Sequence, residues 1–470
     1  MRRTALLAVI AAIVSSQPVS AQPARLEPAA VVQAVEQWLP PLLKAAQDMR
    51  AAEADVVAAN GAFDFALKAD SVVERGFHDN ETVRLTGEQP LAWQGLSAYG
   101  GYRLGRGSFS SYDGKAQTLS DGELAGGFSL PLLRDRAVDG RRTDRRLAAL
   151  GVDVAAAGLS RQRLTAYRDA LMRYWDATAA AEQWRVQAAL LALAEQRDGQ
   201  LAEAARLGQI AAIEQTDNAR AVRQRRAALV AARRALEQQT IELSLYLRDG
   251  AGEPRRVADA ELQLLPRDEP GAAPDEAALL AEALERRPEV RALTARRGQL
   301  AASLRLAENA QLPQLNLFSE AAQDFGAGAP SRAGASWRGG LTFSLPVQRR
   351  RAIGQAARVG AAVVGVDQEL RFAADRIRAD VQDALSAWRA AEEGLTIIRE
   401  ELALARELEA LERDRFLLGD STQFMVNLRE LATADAALRE IRAVVDRHKA
   451  RVAIEAATGR LLTLSPAGVF

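Results

Sequence analysis

The chain holds two histidines, His78 and His448, and no cysteine in 470 residues. Those side chains most readily serve as acid–base groups, nucleophiles or soft metal ligands near neutral pH, so covalent and metal chemistry is poorly provided for. Carboxylates abound, with 61 acidic residues against 61 basic ones, but they lie in segments that read as charged, solvated helix faces. No pair of them is set apart by an apolar pocket. No glycine-rich nucleotide loop follows a strand pattern. Catalysis is therefore not expected, nor is a cofactor or a metal, and a formal charge of zero gives no footprint for nucleic acid. Function must reside in surfaces, and the punctuation of the sequence says which elements build them.

Residues 132–253 and 347–465 contain no proline, and each stretch begins directly after the same four letters, Phe128-Ser129-Leu130-Pro131 and Phe343-Ser344-Leu345-Pro346. Proline costs about 3 kcal/mol inside a helix, so its absence over such spans predicts long helices. A helix from Arg141 to Arg206 would measure about 95 Å at about 1.5 Å per residue. Asp169-Ala170-Leu171 with Tyr174 matches Asp383-Ala384-Leu385 with Trp388, and Leu207-Gly208 matches Leu418-Gly419. Each glycine marks a turn, with return helices expected over 210–247 and 422–460. Apolar residues at Ile397, Leu404, Leu408, Leu411 and Leu418 mix spacings of three, four and seven, as an antiparallel coiled coil does.

The repeated order is an internal duplication. Its first repeat covers 22–249 and its second 276–470. Between them, residues 250–275 carry Pro254, Pro266, Pro270 and Pro274 and read as a linker. Pro40-Pro41-Leu42-Leu43 opens a helix in the first repeat, as Arg287-Pro288-Glu289-Val290 does in the second, where the helix runs through Ala307-Glu308-Asn309-Ala310 to Leu312-Pro313.

Beyond these helices the period changes to two, which means strand. Phe63, Phe65, Leu67 and Ala69 alternate with Asp64, Ala66, Lys68 and Asp70, and Leu315 and Leu317 alternate with Asn316, Phe318 and Glu320. Return strands are expected at Trp93–Leu104 and Trp337–Leu345, which leaves 106–124 as an irregular insertion. The fold class expected is mostly α with a small β part, four strands in all.

The N-terminus, Met1-Arg2-Arg3 followed by an apolar run from Ala5 to Val14 and then Val19-Ser20-Ala21, reads as a signal peptide over 1–21. No later segment reaches the roughly 18 to 20 apolar residues of a membrane helix, yet four strands of roughly ten residues are long enough to cross an outer membrane when tilted. Four strands cannot close a barrel alone. Open edges are costly in lipid, so copies must share one, and three copies would make twelve strands.

On the two Phe-Ser-Leu-Pro junctions, on Arg287-Pro288-Glu289-Val290 leading to Leu312-Pro313, and on the two Leu-Gly turns, the chain resembles the TolC family of outer-membrane efflux channels. The resemblance spans essentially the whole mature chain. It implies a homotrimer with a shared twelve-stranded barrel in outer-membrane lipid and a long α-helical tunnel in the periplasm of a Gram-negative cell. It also implies partners, a periplasmic adaptor (membrane fusion) protein and, through it, an inner-membrane transporter. Drug export, metal export and type I protein secretion are all compatible with it.

Carried onto this sequence, the adaptor-contacting tips are Leu207, Gly208, Gln209 and Ile210 in one repeat and Leu418, Gly419, Asp420 and Ser421 in the other. Without the repeat, a glycine after leucine is simply a helix cap. Glu214, Asp217 and Asn427 resemble positions that narrow the periplasmic entrance; the plainer reading of Glu214 is an ion pair with Arg220 or Arg415. By parity Phe63, Phe65, Leu67, Leu315, Leu317, Leu341 and Phe343 face lipid, while Asp64, Lys68, Asp70, Asn316, Glu320 and Arg338 face water. Trp93 and Trp337 are expected at the membrane interface. The competing class is a soluble periplasmic coiled-coil adaptor or scaffold without a pore, which would have no reason to duplicate strand hairpins.

Overall fold

The computed structural model describes residues 25–110, 116–208, 211–262, 264–266, 271 and 273–464; the expected signal peptide, 1–21, lies outside the described residues. The helices are α1 (Pro28–Trp38), α2 (Pro40–Asn60), α3 (Gly140–Arg206), α4 (Ala212–Ser244), α5 (Glu276–Arg286), α6 (Pro288–Asn309), α7 (Arg350–Leu417) and α8 (Gln423–Ala457). The strands are β1 (Ala66–Glu74), β2 (Asn80–Pro90), β3 (Ser97–Gly107), β4 (Glu123–Pro131), β5 (Gln314–Asp324) and β6 (Gly334–Ser344). Among the described residues no helix is long and apolar enough to cross a membrane.

The matched spelling of the two repeats gives matched elements. Helices α2 and α6, of 21 and 22 residues, both start on a proline that follows an extended residue, Leu39 or Arg287. Proline there has no amide hydrogen to miss, and its fixed φ starts the helix. The long helices α3 and α7 have 67 and 68 residues, and the return helices α4 and α8 have 33 and 35.

The chain forms two compact units, each drawing on both repeats. One comprises Leu171–Glu269 and Leu395–Val445 with the residues up to Val31. Small side chains let its helices approach closely: Leu191 and Ala194 meet Val222, and Leu395 meets Ala443 and Val444. The Tyr174 hydroxyl donates to the Leu26 carbonyl at 3.1 Å. Burial pushes that phenol up to about 12.

The other unit comprises Val32–Ala170, Pro270–Gly394 and the residues from Asp446. Its helical core sets Leu279 and Ala283 of α5 against Ile377, Val381 and Leu385 of α7 and Ile454 of α8. Fully buried Glu36 of α1 accepts from the Arg163 guanidinium at 3.0 and 2.6 Å and from the Tyr167 hydroxyl, both on α3. Arg287 clamps the start of α6: it donates to Glu289 at 3.0 Å, to Asp380 of α7 at 3.2 Å and to the Ala457 carbonyl of α8 at 3.4 Å. That is a packing reason for the Arg-Pro-Glu spelling.

The sheet of this unit is antiparallel throughout, in the order β1-β2-β3-β4-β5-β6. It holds six strands, which corrects the expected four. The second repeat carries the expected hairpin, β5–β6. In the first repeat the strand that ends on the Phe-Ser-Leu-Pro junction is β4, inside what was expected to be insertion and junction. The segment expected to return to that junction instead contains β3, and Trp93 lies in the turn before it. The unforeseen elements are β4, whose pattern is broken by Gly126-Gly127, and β2. In β2 the alternation of Val83 and Leu85 with Arg84 and Thr86 is short and sits between charged residues and Gly87. Such a segment reads as loop unless a neighbouring strand supplies the ladder. Phe63, Asp64 and Phe65 also fall outside the strands, Phe63 in a one-turn 3-10 helix with Arg145 above its ring at 5.2 Å.

Candidate channel surfaces

Register assigns every strand residue to one of two faces. On one face Leu67, Leu85, Tyr102 and Leu124 stand on β1 to β4, Leu317 and Leu341 pair across β5 and β6, and Phe343 pairs with Leu315. These side chains are not covered: Leu67 is 65 % exposed, Leu341 62 % and Phe343 65 %. An apolar sheet face left open over several strands is suited to lipid rather than water.

The opposite face is charged. Asp70 pairs with Arg84, Arg84 with Arg103, Arg103 with Glu123 and Glu123 with Asp324, so one row is charged across five strands, with two opposite-charge and two like-charge pairs. Lys68 donates to Glu88 at 2.9 Å and Arg338 to Glu320 at 2.7 Å, and Arg103 is bonded to Glu123. The lipid and water assignments read from parity therefore coincide with the two faces for every predicted residue that lies in a strand. Trp337 is on the apolar face, 74 % exposed, with its indole N–H donating to Ser319 Oγ at 3.0 Å. Trp93 is in the β2–β3 turn.

The helical ends of the other unit form the second surface. Helix α3 stops at Arg206, and Gly208 takes φ +75°; α7 stops at Leu417, and Gly419 takes φ +83°. In the second turn the Gly419 amide donates to the Phe416 carbonyl and the Asp420 amide to the Arg415 carbonyl, which satisfies the last carbonyls of the helix. Leu207, Leu417 and Leu418 project from these ends and are exposed. The Ser421 hydroxyl donates to Glu412 Oε1 at 2.5 Å. That bond, with Arg415 and Arg429 nearby, holds the Glu412 carboxyl below the usual carboxylate range. Gln209 and Ile210 lie outside the described residues.

The three entrance candidates part company. Glu214 is half-buried in the first turn of α4, and no side-chain bond joins it to Arg220 or Arg415. Asp217 instead takes Arg220, at 3.1 Å. Asn427 is buried and accepts from Arg197 at 2.9 Å.

Asn427 belongs to a constellation that sequence reasoning missed. Glu430 of α8, 1 % exposed, accepts from Arg197 of α3, from Arg225 of α4 at 3.0 Å and from Arg413 of α7 at 3.4 Å. One carboxylate thus holds four helices. Burial alone would raise its proton affinity, but the Arg197 and Arg225 bonds and charges outweigh burial and keep it lowered. A signal was present: Gln423, Val426, Glu430 and Ala434 recur at spacings of three and four, so Glu430 sits on the buried stripe.

Among the described residues no group of three or more histidine, cysteine, aspartate or glutamate side chains is arranged to hold a metal ion. No family model and no curated protein matches the sequence. Solved structures do match. The open-state MtrE outer membrane channel of Neisseria gonorrhoeae is similar at TM-score 0.64 and 14 % identity, covering 92 % of this chain and 88 % of its own. The outer membrane protein VceC of Vibrio cholerae gives 0.63 and 14 %, over 91 % of this chain and 95 % of that one. The CmeC outer membrane channel of Campylobacter jejuni gives 0.61 and 14 %, over 91 % and 84 %. Over more than nine-tenths of its length, then, the chain has the fold of the TolC-type outer-membrane channels that its sequence resembles.

Proposed function

We propose that the protein is an outer-membrane channel-tunnel, in which three copies share one β-barrel and export cargo from a Gram-negative cell. One observation carries the reading: a sheet with an open apolar face, a charged opposite face, and edge strands β1 and β6 with no strand on their outer sides among the described residues. An even number of alternating strands leaves those two edges running oppositely. The β6 of one copy therefore meets the β1 of the next as an antiparallel pair, and the wall closes without a free edge.

In this reading both repeats, 22–249 and 276–470 joined by 250–275, build the wall and the tunnel. The exposed leucines at the Gly208 and Gly419 turns meet the hairpin of a periplasmic adaptor, which connects to an inner-membrane transporter. Glu214, brought close to its two symmetry copies, narrows the entrance by charge, with Asp217 one turn further along α4; Asn427, buried against Arg197, supports the helices from inside. A soluble scaffold would gain nothing from an uncovered apolar sheet face.

The test is the native mass of the protein extracted from isolated outer membranes in mild detergent. A species three times the chain mass is expected. Recovery as a soluble monomer from the periplasmic fraction would overturn the proposal.

A further inference from the structure

We infer that the β2–β3 hairpin is part of the membrane wall, so that each copy contributes six strands and a threefold barrel holds eighteen. The inference rests on the channel reading and goes beyond it. The two strands have 11 residues each, as long as β5 and β6. They are not appended to an edge: β2 pairs with β1 from Asn80 to Glu88, and β3 pairs with β4 from Ser97 to Arg103.

The hairpin also obeys the faces of its neighbours. Val83 and Leu85 of β2 stand opposite Leu104 and Tyr102 of β3 on the apolar side, while Arg84 and Thr86 stand opposite Arg103 and Gly101 on the charged side. A hairpin folded over the mouth or into the lumen would have no reason to keep an apolar face in register with Leu67 and Leu124.

Side chains lock it in place from both flanks. The Phe65 ring, at the foot of β1, lies over Gly87 of β2, where an added Cβ would come within 2.4 Å of the ring. Tyr99 of β3 lies over Gly127 of β4, where a Cβ would come within 2.8 Å of its ring, and reaches Glu320 of β5. At the helical end, a Cβ on Gly95 in the β2–β3 turn would come within 2.5 Å of the Asp135 carbonyl oxygen and 3.2 Å of the Pro131 ring, so the turn packs closely against the β4–α3 junction.

Barrel diameter grows roughly in proportion to strand number, so the pore would be about half as wide again as one of twelve strands. The two added strands bring Arg84, Glu88 and Arg103 to the water face of each copy. The outer pore is thereby both wider and richer in charge.

The chain has no cysteine, so single-cysteine variants can be read without background. On outer-membrane vesicles, Thr86→Cys and Arg103→Cys should react with a water-soluble, membrane-impermeant maleimide at least about tenfold faster than Leu85→Cys and Leu104→Cys, because only a hydrated thiol forms the reactive thiolate. Asn316→Cys and Leu317→Cys on β5 report the wall itself. Two positions per face guard against a variant that fails to accumulate. Alternation on β5 with uniform labelling of the four hairpin positions, fast or slow, removes the hairpin from the wall and leaves the channel standing. Uniform labelling on β5 as well sinks both.

Discussion

The Tyr99 hydroxyl of β3 donates to Glu320 Oε2 of β5 at 2.7 Å, passing over Gly127 of the strand between them. Glu320 also takes Arg338 of β6 at 2.7 Å, so one carboxylate joins three strands on the charged face. The contact exists because Gly127 has no side chain: a Cβ there would come within 2.4 Å of the Ser319 carbonyl oxygen as well as against the ring.

That arrangement orders two substitutions. Tyr99→Phe removes one hydrogen bond to a charged acceptor and should cost about 1.5–3 kcal/mol. Gly127→Val forces backbone as well as ring to move and should cost more, with overpacking alone about 1–3 kcal/mol before the lost bond is counted. The temperature at which the detergent-extracted assembly dissociates should fall in the order wild type, Tyr99→Phe, Gly127→Val. Equal temperatures for all three would mean that the contact does not hold the sheet.

Adjacent positions on β5 should respond in opposite ways to the same new charge. Leu317→Arg puts a guanidinium on the apolar face, at about 2–4 kcal/mol near the bilayer midplane, whereas Asn316→Arg adds one to a face already charged. Outer-membrane assembly should drop for Leu317→Arg and persist for Asn316→Arg. An unchanged yield from Leu317→Arg would remove that face from lipid.

Much of this design was legible in the residues, and the part that was not has a physical cause. Withheld prolines placed the long helices, because a proline inside them is so costly. The paired Phe-Ser-Leu-Pro and Leu-Gly spellings placed strand ends and turns. Period-two alternation put Leu67, Leu317 and Leu341 together on the open apolar face, since parity survives small errors in strand ends. It failed on β2 and on β4, because the apolar face rests on Val83, Leu85, Gly87 and Gln89 in β2 and is broken by Gly126 in β4, too little hydrophobicity to stand out from a polar loop. Glu430 was hidden for a different reason. Its role depends on three arginines as far as 233 positions away in the chain, a meeting that only packing arranges.

The junction between sheet and helices depends on Asn309 and Asp135. The Asn309 amide donates to Asp135 Oδ1 at 3.1 Å, and the Asp135 amide donates back to Asn309 Oδ1 at 3.3 Å. Asp135 has φ +67°, an uncommon conformation that the pair helps to hold. Asn309→Leu keeps the bulk and loses both bonds, and should cost about 1–3 kcal/mol. Asp135→Gly relieves the backbone while losing one bond, so its cost should be smaller. Thermal dissociation of both variants checks the order. A larger loss for Asp135→Gly would show that the side-chain bond outweighs the backbone effect.

Glu430 makes the sharpest prediction, because its surroundings fix both a mutational effect and a direction in pH. It is 1 % exposed and Arg225 3 %. Glu430→Gln keeps the shape but leaves buried arginine charge uncompensated, which should cost about 3–5 kcal/mol. The loss should appear as faster amide hydrogen exchange at the Gly208 and Gly419 ends of α3, α4, α7 and α8. The folded carboxyl lies below its ordinary value, so the cluster's contribution is complete above the unfolded carboxylate range, roughly pH 4.3 and up. It disappears as pH falls through the folded value. Exchange at these helix ends should thus be insensitive to pH between about 8 and 5.5, once its intrinsic rate is corrected for, and should accelerate below about 4 in the wild type. The Glu430→Gln protein should exchange faster at neutral pH and lack most of that further acid step. Identical exchange in the two proteins at neutral pH would show that the four helices are held together by something other than this carboxylate.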